Sequence, residues 1–367
     1  MEGIGDALLQ ITVIGLILLV VLRLTVGRLS FRMPRRSQAR RIAAIGVGGA
    51  GSNAVDSMIR AKIKGVEFIA CNTDVQALRR SRARTKVQIG RTVTGGLGSG
   101  GDPDIGRLAA EEDAERIAHA VGGTSLLFVA AGLGGGTGSG AAPLIARTAR
   151  ERGALTVAVV TLPFRFEGAR RADVAARAAT ELGSAADTTI TISNERLNTV
   201  EPESASLLDA FEAADGVLRH AVDAITQLLS VAGLVNLDFA DLRTVLAGGG
   251  PALFGVGQSR GEDRAIEAAR EALAGPLLER GIGGARSILF HIVGPPNLRL
   301  AEIRGAADEI RASADPSANV IFGATVDRRL RDDVWITVIG TGLAPDGQVH
   351  PPAVVQNTRR ATPGDAA

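Results

Sequence analysis

A single cysteine, Cys71, in a chain of 367 residues excludes an intramolecular disulfide framework and a cysteine-built metal cluster. The histidines, His119, His220, His291 and His350, do not fall at ligand spacing from one another, so they are read as structural or solvent-facing and no zinc centre is expected. Aromatic side chains are scarce, 3% of the chain with no tyrosine, and no basic strip is interleaved with them, which removes nucleic acid from the expected partners. Cys71 is expected to pack as a small apolar residue at a strand end, near enough to a glycine loop for partial reactivity. Basic residues are missing ahead of the first apolar run, where a secretory signal peptide would carry them.

That run, residues 7–22, is apolar except for Gln10 and Thr12, and its extension to residue 26 gives the roughly 20 residues of a bilayer-spanning helix, with Arg23 able to snorkel. Glu2 and Asp6 precede it. Arg23, Arg28, Arg32, Arg35, Arg36, Arg40 and Arg41 follow with no acid among them, so the positive-inside rule keeps the body cytoplasmic and sends the amino terminus across. The same arginines suit anionic lipid head groups, and an interfacial helix is the alternative to a spanning one. The net charge is +2, of which the amino tail supplies −2 and the arginine segment +7, leaving −3 for residues 42–367. The basic character is therefore local.

What the chain holds in excess is glycine, and three dense runs of it carry the chemistry. Residues 126–130 read as a buried strand and residues 141–150 as a helix with Pro143 in its first turn; Gly134, Gly135, Gly136, Thr137, Gly138, Ser139 and Gly140 lie between them. Glycines at such a junction let backbone N–H groups crowd round an anion, aided by the helix dipole, and Thr137 and Ser139 add hydroxyls. The alternative is a tightly packed turn. Upstream, a strand at residues 41–45 leads through Gly46, Gly48, Gly49, Ala50, Gly51 and Asn53 into a helix at residues 54–63, which taken literally is a dinucleotide fingerprint. The next strand, residues 66–71, ends in Asn72, Thr73 and Asp74 instead of an acid placed for a ribose. Two strand–loop–helix units, each offering a phosphate turn, suit a mononucleotide triphosphate better than a dinucleotide. The third run, with Gly98, Ser99 and Gly100, precedes a helix at residues 105–120 and is read as closing over the terminal phosphate.

These residues resemble the FtsZ branch of the FtsZ/tubulin superfamily of self-assembling GTPases. The likeness is carried by the run from Gly134 to Gly140 and continues in order through residues 46–53, 72–74, 96–100, 163–168, 194–197, 236–241 and 255–264, on to Gly342. It covers about residues 41–343. The resemblance implies GTP and GDP as ligands, with Mg²⁺ bridging the phosphates. It assigns phosphate-side contacts to Gly48, Gly49, Ala50, Asn53, Asn72, Asp74, Gly98, Ser99, Gly100 and the run Gly134, Gly135, Gly136, Thr137, Gly138 and Ser139. Glu167 would accept from ribose hydroxyls, Arg171 would bring a cation near them, Asn194 and Asp215 would read the guanine, and Phe211 would stack on it. A surface ion pair for Glu167 and Arg171, and core packing for Phe211, are the alternatives. Asn236, Asp238 and Asp241 would complete the nucleotide site of the neighbouring subunit, so that hydrolysis requires head-to-tail assembly; helix N-capping is the other use of those aspartates.

The expected fold is α/β. A parallel-sheet nucleotide-binding domain (residues 42–204) is joined by a long central helix (205–232) to a smaller α/β domain (233–343), preceded by the transmembrane segment (1–26) and a basic linker (27–41). Strands are expected at residues 253–257, 288–293, 320–324 and 334–339, with helices at 262–274 and 300–314 between them. The tail, 344–367, lacks a clear apolar anchor, so the amino-terminal helix is expected to replace a membrane adaptor. The favoured function is a membrane-anchored GTPase that polymerises for cell division or membrane constriction at the cytoplasmic face of the membrane, with other division proteins as further partners. A GTP-binding scaffold with little turnover and a nicotinamide dehydrogenase are the competing classes. Deletion of residues 1–30 should move the protein from the membrane pellet to the supernatant on cell fractionation; retention in the pellet refutes the anchor.

Overall fold

The computed structural model describes residues 40–197, 206–230, 237–275 and 281–343. The expected transmembrane segment, almost all of the basic linker, Asn236 and the tail lie outside the described residues; among the described residues no helix is long and apolar enough to cross a membrane.

The chain begins with β1 (Ile42–Val47), α1 (Gly48–Arg60), β2 (Val66–Asn72), α2 (Val75–Arg80) and β3 (Thr85–Gln88). Next come α3 (Pro103–Glu112), α4 (Ala114–Val121), β4 (Leu126–Gly132), α5 (Gly136–Glu151), β5 (Leu155–Leu162), α6 (Ala169–Ala185) and β6 (Thr188–Ser193). The long helix α7 (Leu207–Ser230) leads to α8 (Phe239–Leu246), β7 (Gly250–Arg260), α9 (Arg264–Ala274), β8 (Ser287–Gly294), α10 (Leu300–Ala312), β9 (Asn319–Val326) and β10 (Asp333–Thr341).

All ten strands belong to one sheet, ordered β3-β2-β1-β4-β5-β6-β7-β10-β8-β9. Pairing is parallel from β3 to β7, antiparallel from β7 through β10 to β8, and parallel again between β8 and β9. Parallel strands covered on both faces need near-continuous apolar sequence, and β1 is buried throughout while β4 is buried in all but its last residue. The first six strands wind outward in opposite directions from β1 and β4. Their carboxyl ends therefore part over a crevice, the switch point at which doubly wound sheets bind ligands.

On one face, Ala109, Ile117, Ile145 and Leu182 of α3 to α6 pack on Ile45 and Val129. On the other, Met58 of α1, Leu218, Val222 and Ile225 of α7 and Leu242 of α8 pack on Phe128 and Val157 and reach Phe254, Leu289 and Ile339 beyond the parallel strands. A third core seats α9 and α10 on β8 and β10 through Ala268, Ala272, Ile310, Phe290 and Ile336. The central helix is thus one of two joints. The sheet is the other, continuing through the register Thr188↔Gly250, Thr189↔Pro251 and Ile190↔Ala252. Pro251 sits at the entrance of β7, where its missing N–H is tolerated.

Three expected helices differ. The helix expected over residues 105–120 is broken at Asp113, whose carboxylate accepts from Gly90 N at 2.8 Å and pairs with Arg116 at 2.9 Å. Both glycine-loop helices start earlier than expected, α1 at Gly48 and α5 at Gly136, because the glycines themselves form the first turns. Pro143 consequently lies in the interior of α5 and not in its first turn.

Those glycines allow α3 and α5 to touch backbone to backbone. A Cβ on Gly106 would stand 2.3 Å from the carbonyl oxygen of Gly136, and one on Gly140 would stand 2.0 Å from that of Pro103. Gly106→Ala should lower the unfolding free energy by about 1–3 kcal/mol in urea titration, the usual range for overpacking. Gly183→Ala, in α6 with nothing within 4 Å of the added carbon, should raise it by about 0.4–1 kcal/mol. Equal effects of the two would refute the close-approach account.

Candidate nucleotide site

A cavity of about 600 Å³ opens at the carboxyl ends of β1, β2, β4 and β5. The carboxyl ends of β1 and β4 run directly into α1 and α5, whose N-cap residues, Val47 and Gly135, provide no side-chain cap. The first-turn N–H groups of both helices are therefore left for a ligand, as phosphate sites require. Gly48 holds φ +72° at the turn into α1, and a Cβ there would approach Gly138 N to 3.0 Å, so the two phosphate turns lie against each other. At Gly49, Gly100 and Gly135 an added carbon meets nothing within 4 Å. All three line the cavity, which leaves room for phosphate oxygens against bare backbone.

The three glycine runs are tied by hydroxyls. Thr137 Oγ1 lies 2.7 Å from Thr73 Oγ1 and 3.0 Å from Ser99 Oγ. Asn72 and Asp74 line the cavity while shaping its wall. Asn72 Oδ1 accepts from Asp74 N at 3.2 Å, and Asp74 Oδ1 accepts from Gln76 N at 2.8 Å and Ala77 N at 3.1 Å, capping α2.

On the opposite wall, Glu167 accepts from Phe164 N at 2.9 Å and pairs with Arg171, and both members of the pair line the cavity. The surface-pair alternative and the ligand-facing one thus coexist. Phe211, 40% exposed, makes a T-shaped contact with Phe164, ring centroids 5.5 Å apart, and lines the cavity. Asn194 is buried, and its Oδ1 has no hydrogen-bond partner among the described residues. One turn beyond Phe211 on α7, Asp215 has its pKa pushed up to about 7. Burial dominates; Arg60 acts against it, and Glu212 and Asp56 add to it. An unpartnered buried amide oxygen and a desolvated carboxylate in one wall are what a base with ring and exocyclic N–H groups satisfies.

The lining therefore includes Gly48, Gly49, Ala50, Asn72, Asp74, Gly98, Ser99, Gly100, Gly135, Gly136, Thr137, Gly138, Glu167, Arg171, Asn194, Phe211 and Asp215. Asn53, Gly134 and Ser139 are not in it. Asn53 is exposed on α1, and the Ser139 hydroxyl is buried where it accepts from Gly134 N at 2.9 Å, bracing the loop from behind. Thr73, Gly101, Thr161, Pro163 and Ala214 line the cavity without having been singled out as ligands. Thr161 and Pro163 follow from strand order, since β5 neighbours β4 and ends at the same crevice.

Asp238 and Asp241 lie outside the cavity. Asp238 Oδ1 accepts from Asp241 N at 2.8 Å and Asp241 Oδ2 from Asp238 N at 3.2 Å, a reciprocal capping box at the start of α8 with both residues exposed. Among the described residues no group of three or more acids, histidines or cysteines is arranged to hold a metal ion. Cys71 is fully buried near the end of β2, packed as expected, and its thiol is pushed up to about 12, chiefly by burial, which argues against the alternative of partial reactivity. His291 is buried with Nε2 2.9 Å from Thr325 Oγ1, and His220 stacks on Trp335.

Residues 41–202 match the Tubulin/FtsZ family, GTPase domain, and residues 250–344 match the FtsZ family, C-terminal domain. The cell division protein FtsZ of Magnetospirillum gryphiswaldense is 48% identical over 326 residues, 88% of this chain and 58% of the relative, so the chain spans somewhat over half the length of that curated protein. Among solved structures, an empty FtsZ dimer from M. jannaschii superposes with a TM-score of 0.80 at 42% identity, covering 84% of this chain and 89% of that one. CetZ2 from Haloferax volcanii, in a GTPγS-bound protofilament, shares the fold at a TM-score of 0.72 and 23% identity, over 83% of this chain and 94% of its own. With a GTPase-domain match and an FtsZ C-terminal match in succession along one continuous sheet, the chain belongs to the FtsZ branch of the Tubulin/FtsZ family.

Proposed function

We propose that this protein binds GTP in the crevice between β1 and β4, assembles head to tail, and hydrolyses the nucleotide at the junction between protomers, at a membrane surface in cell division. The observation that carries this reading is the convergence of two uncapped helix N-termini, α1 and α5, on one cavity whose far wall holds Phe211, Asn194 and Asp215. In this reading the amides of Gly48, Gly49 and Gly136 to Gly138 hold the phosphates, Glu167 the ribose and Asp215 the guanine edge. Mg²⁺, when bound, would neutralise phosphate charge, with most of its ligands coming from the nucleotide and water, since no acidic cluster suited to a metal occurs among the described residues. Residues 42–204 would be the nucleotide-binding domain and 233–343 the part that presents Asp238 and Asp241 to the next protomer. Supporting assembly, those two aspartates are exposed and outside the cavity of their own protomer. Positioning of water by an incoming loop suffices for phosphoryl transfer in principle, since that chemistry depends on orientation and charge more than on covalent steps.

The reciprocal cap formed by Asp238 and Asp241 favours a second reading, in which they serve only α8 and the protein is a GTP-binding scaffold with little turnover. The two are separated by phosphate release measured against protein concentration. Specific activity should rise with concentration, Asp241→Ala should keep GTP affinity and lose hydrolysis, and Asp241→Asn, which preserves a capping oxygen, should lose it as well. The alanine variant removes one hydrogen bond of the capping box and should lose about 0.5–1.5 kcal/mol of stability. Turnover that survives in both variants removes Asp241 from the reaction.

Guanine recognition by Asp215 predicts a pH dependence. The carboxylate must be ionised to accept from the base, and burial holds its pKa at about 7, so binding is weakened as pH falls through that value. GDP affinity at pH 6 should be about tenfold lower than at pH 8, one pKa unit of protonation to overcome. Asp215→Asn should bind weakly and show only the shallower titration of the phosphates. An identical pH profile in both proteins would exclude Asp215 as the base reader.

A further inference from the structure

At the edge of the sheet, the exposed side chains of Lys62, Lys64, Arg79, Arg80, Arg82, Arg84 and Lys86 lie on the loop into β2, the end of α2, the approach to β3 and β3 itself. Among the described residues none of the seven forms an ion pair. The acids beside them are engaged: Glu67 with Arg41 at 2.8 Å, and Asp56 with Ser81 Oγ at 2.9 Å and Arg82 N at 2.7 Å. Residues 42–91 hold nine lysines and arginines against three acids, whereas residues 42–367 together are net negative, so the charge of the body is segregated. The patch is more than protection of an edge strand, for which Lys86 alone would serve. Arg82 and Arg84 rim a groove of about 450 Å³ whose lining also includes Ile59, Val66, Phe68, Thr85 and Glu67, the last neutralised by Arg41.

We propose that this groove and its basic rim form a docking surface for the anionic phospholipid face of a membrane. Charge complementarity and an apolar floor beneath cationic side chains are the features a head-group layer matches, with the lysine and arginine stems lying along the boundary. The direction of the chain supports the same partner. Ile42 is in register with Val66 at the amino ends of β1 and β2, so the body begins, at Arg41, at the strand end beside this groove. The inference goes beyond the proposed anchor and holds whether residues 7–26 span the bilayer or lie in its surface.

The test compares the full-length protein with a variant carrying Lys62→Glu, Lys64→Glu, Arg82→Glu and Arg84→Glu. Both are sedimented with vesicles of phosphatidylcholine alone and of phosphatidylcholine mixed with phosphatidylglycerol. Each basic side chain near an anionic leaflet strengthens binding about fivefold, so the variant's preference for the anionic vesicles should fall by at least about fiftyfold. Reversal of Arg304, Arg311, Arg328 and Arg331, exposed elsewhere on the body, should leave that preference intact. The glutamine series at the same four positions, two at the groove and two on the loop beside it, gives a smaller loss and serves if charge reversal impairs folding. Unchanged preference in the groove variants overturns the proposal while leaving the anchor standing. So does binding of a single-stranded RNA oligomer as tight as binding of the anionic vesicles, lost together with it in the variant. Loss of all vesicle binding on deleting residues 1–30, with lipid preference unaffected by the groove variants, assigns membrane contact to the amino-terminal segment alone.

Discussion

Backbone must touch backbone at the crevice, and the site depends on that constraint. A Cβ on Gly51 would stand 2.3 Å from the carbonyl oxygen of Ala130, and one on Gly138 would stand 2.5 Å from that of Gly132. Helix α1 is thereby pressed against the end of β4, and α5 against the end of its own strand. Only this closeness lets two helix N-termini, on opposite faces of a doubly wound sheet, converge on one cavity. The hydroxyl chain through Thr73, Thr137 and Ser99 is a consequence: it links loops whose backbones are already within reach.

The site also has an electrostatic economy of its own. Among the described residues its lining holds one guanidinium, Arg171, which is paired with Glu167, so in the proposed function the phosphate side would rely on backbone dipoles more than on free cations. Dipoles fixed by the fold need no reorganisation when charge moves between phosphate oxygens, the situation that phosphoryl transfer presents. The base side works through burial instead. Burial raises the pKa of Asp215, and in the proposed function a guanine edge bound there would offset that desolvation.

Local patterns were the most legible part of the sequence. The strands at residues 126–130 and 288–293 emerged at nearly those bounds because buried parallel and central strands must be continuously apolar. The glycine runs disclosed the cavity, since few other uses require so much bare backbone after a strand. Helix starts were misjudged because glycine is normally a poor helix former, whereas α5 is begun by glycines that its packing on α3 demands. The break at Asp113 was hidden because its cause is Gly90, distant in sequence. Ser139 looked like a ligand by its position in the run, and only the fold reveals that its hydroxyl faces Gly134 N. Net charge concealed the basic edge, because summing over the body cancels lysines and arginines that are segregated in space.

Parallel strands impose a polarity that joins these observations. Every βα turn in the first half of the sheet delivers its amides to the carboxyl end, so the nucleotide cavity has to lie there. The amino ends of β1 and β2, with the groove beside them, are about 20 Å away, six residues at roughly 3.3 Å each along β1. That span is about twice the Debye length at physiological ionic strength, so charge at one end is largely screened from the other. A membrane held at the amino end would therefore leave phosphate affinity unperturbed. If the proposed function holds, coupling between surface attachment and hydrolysis would have to pass through assembly, by raising the local concentration of protomers whose aspartates would then complete one another's sites, and not through the field of the lipids.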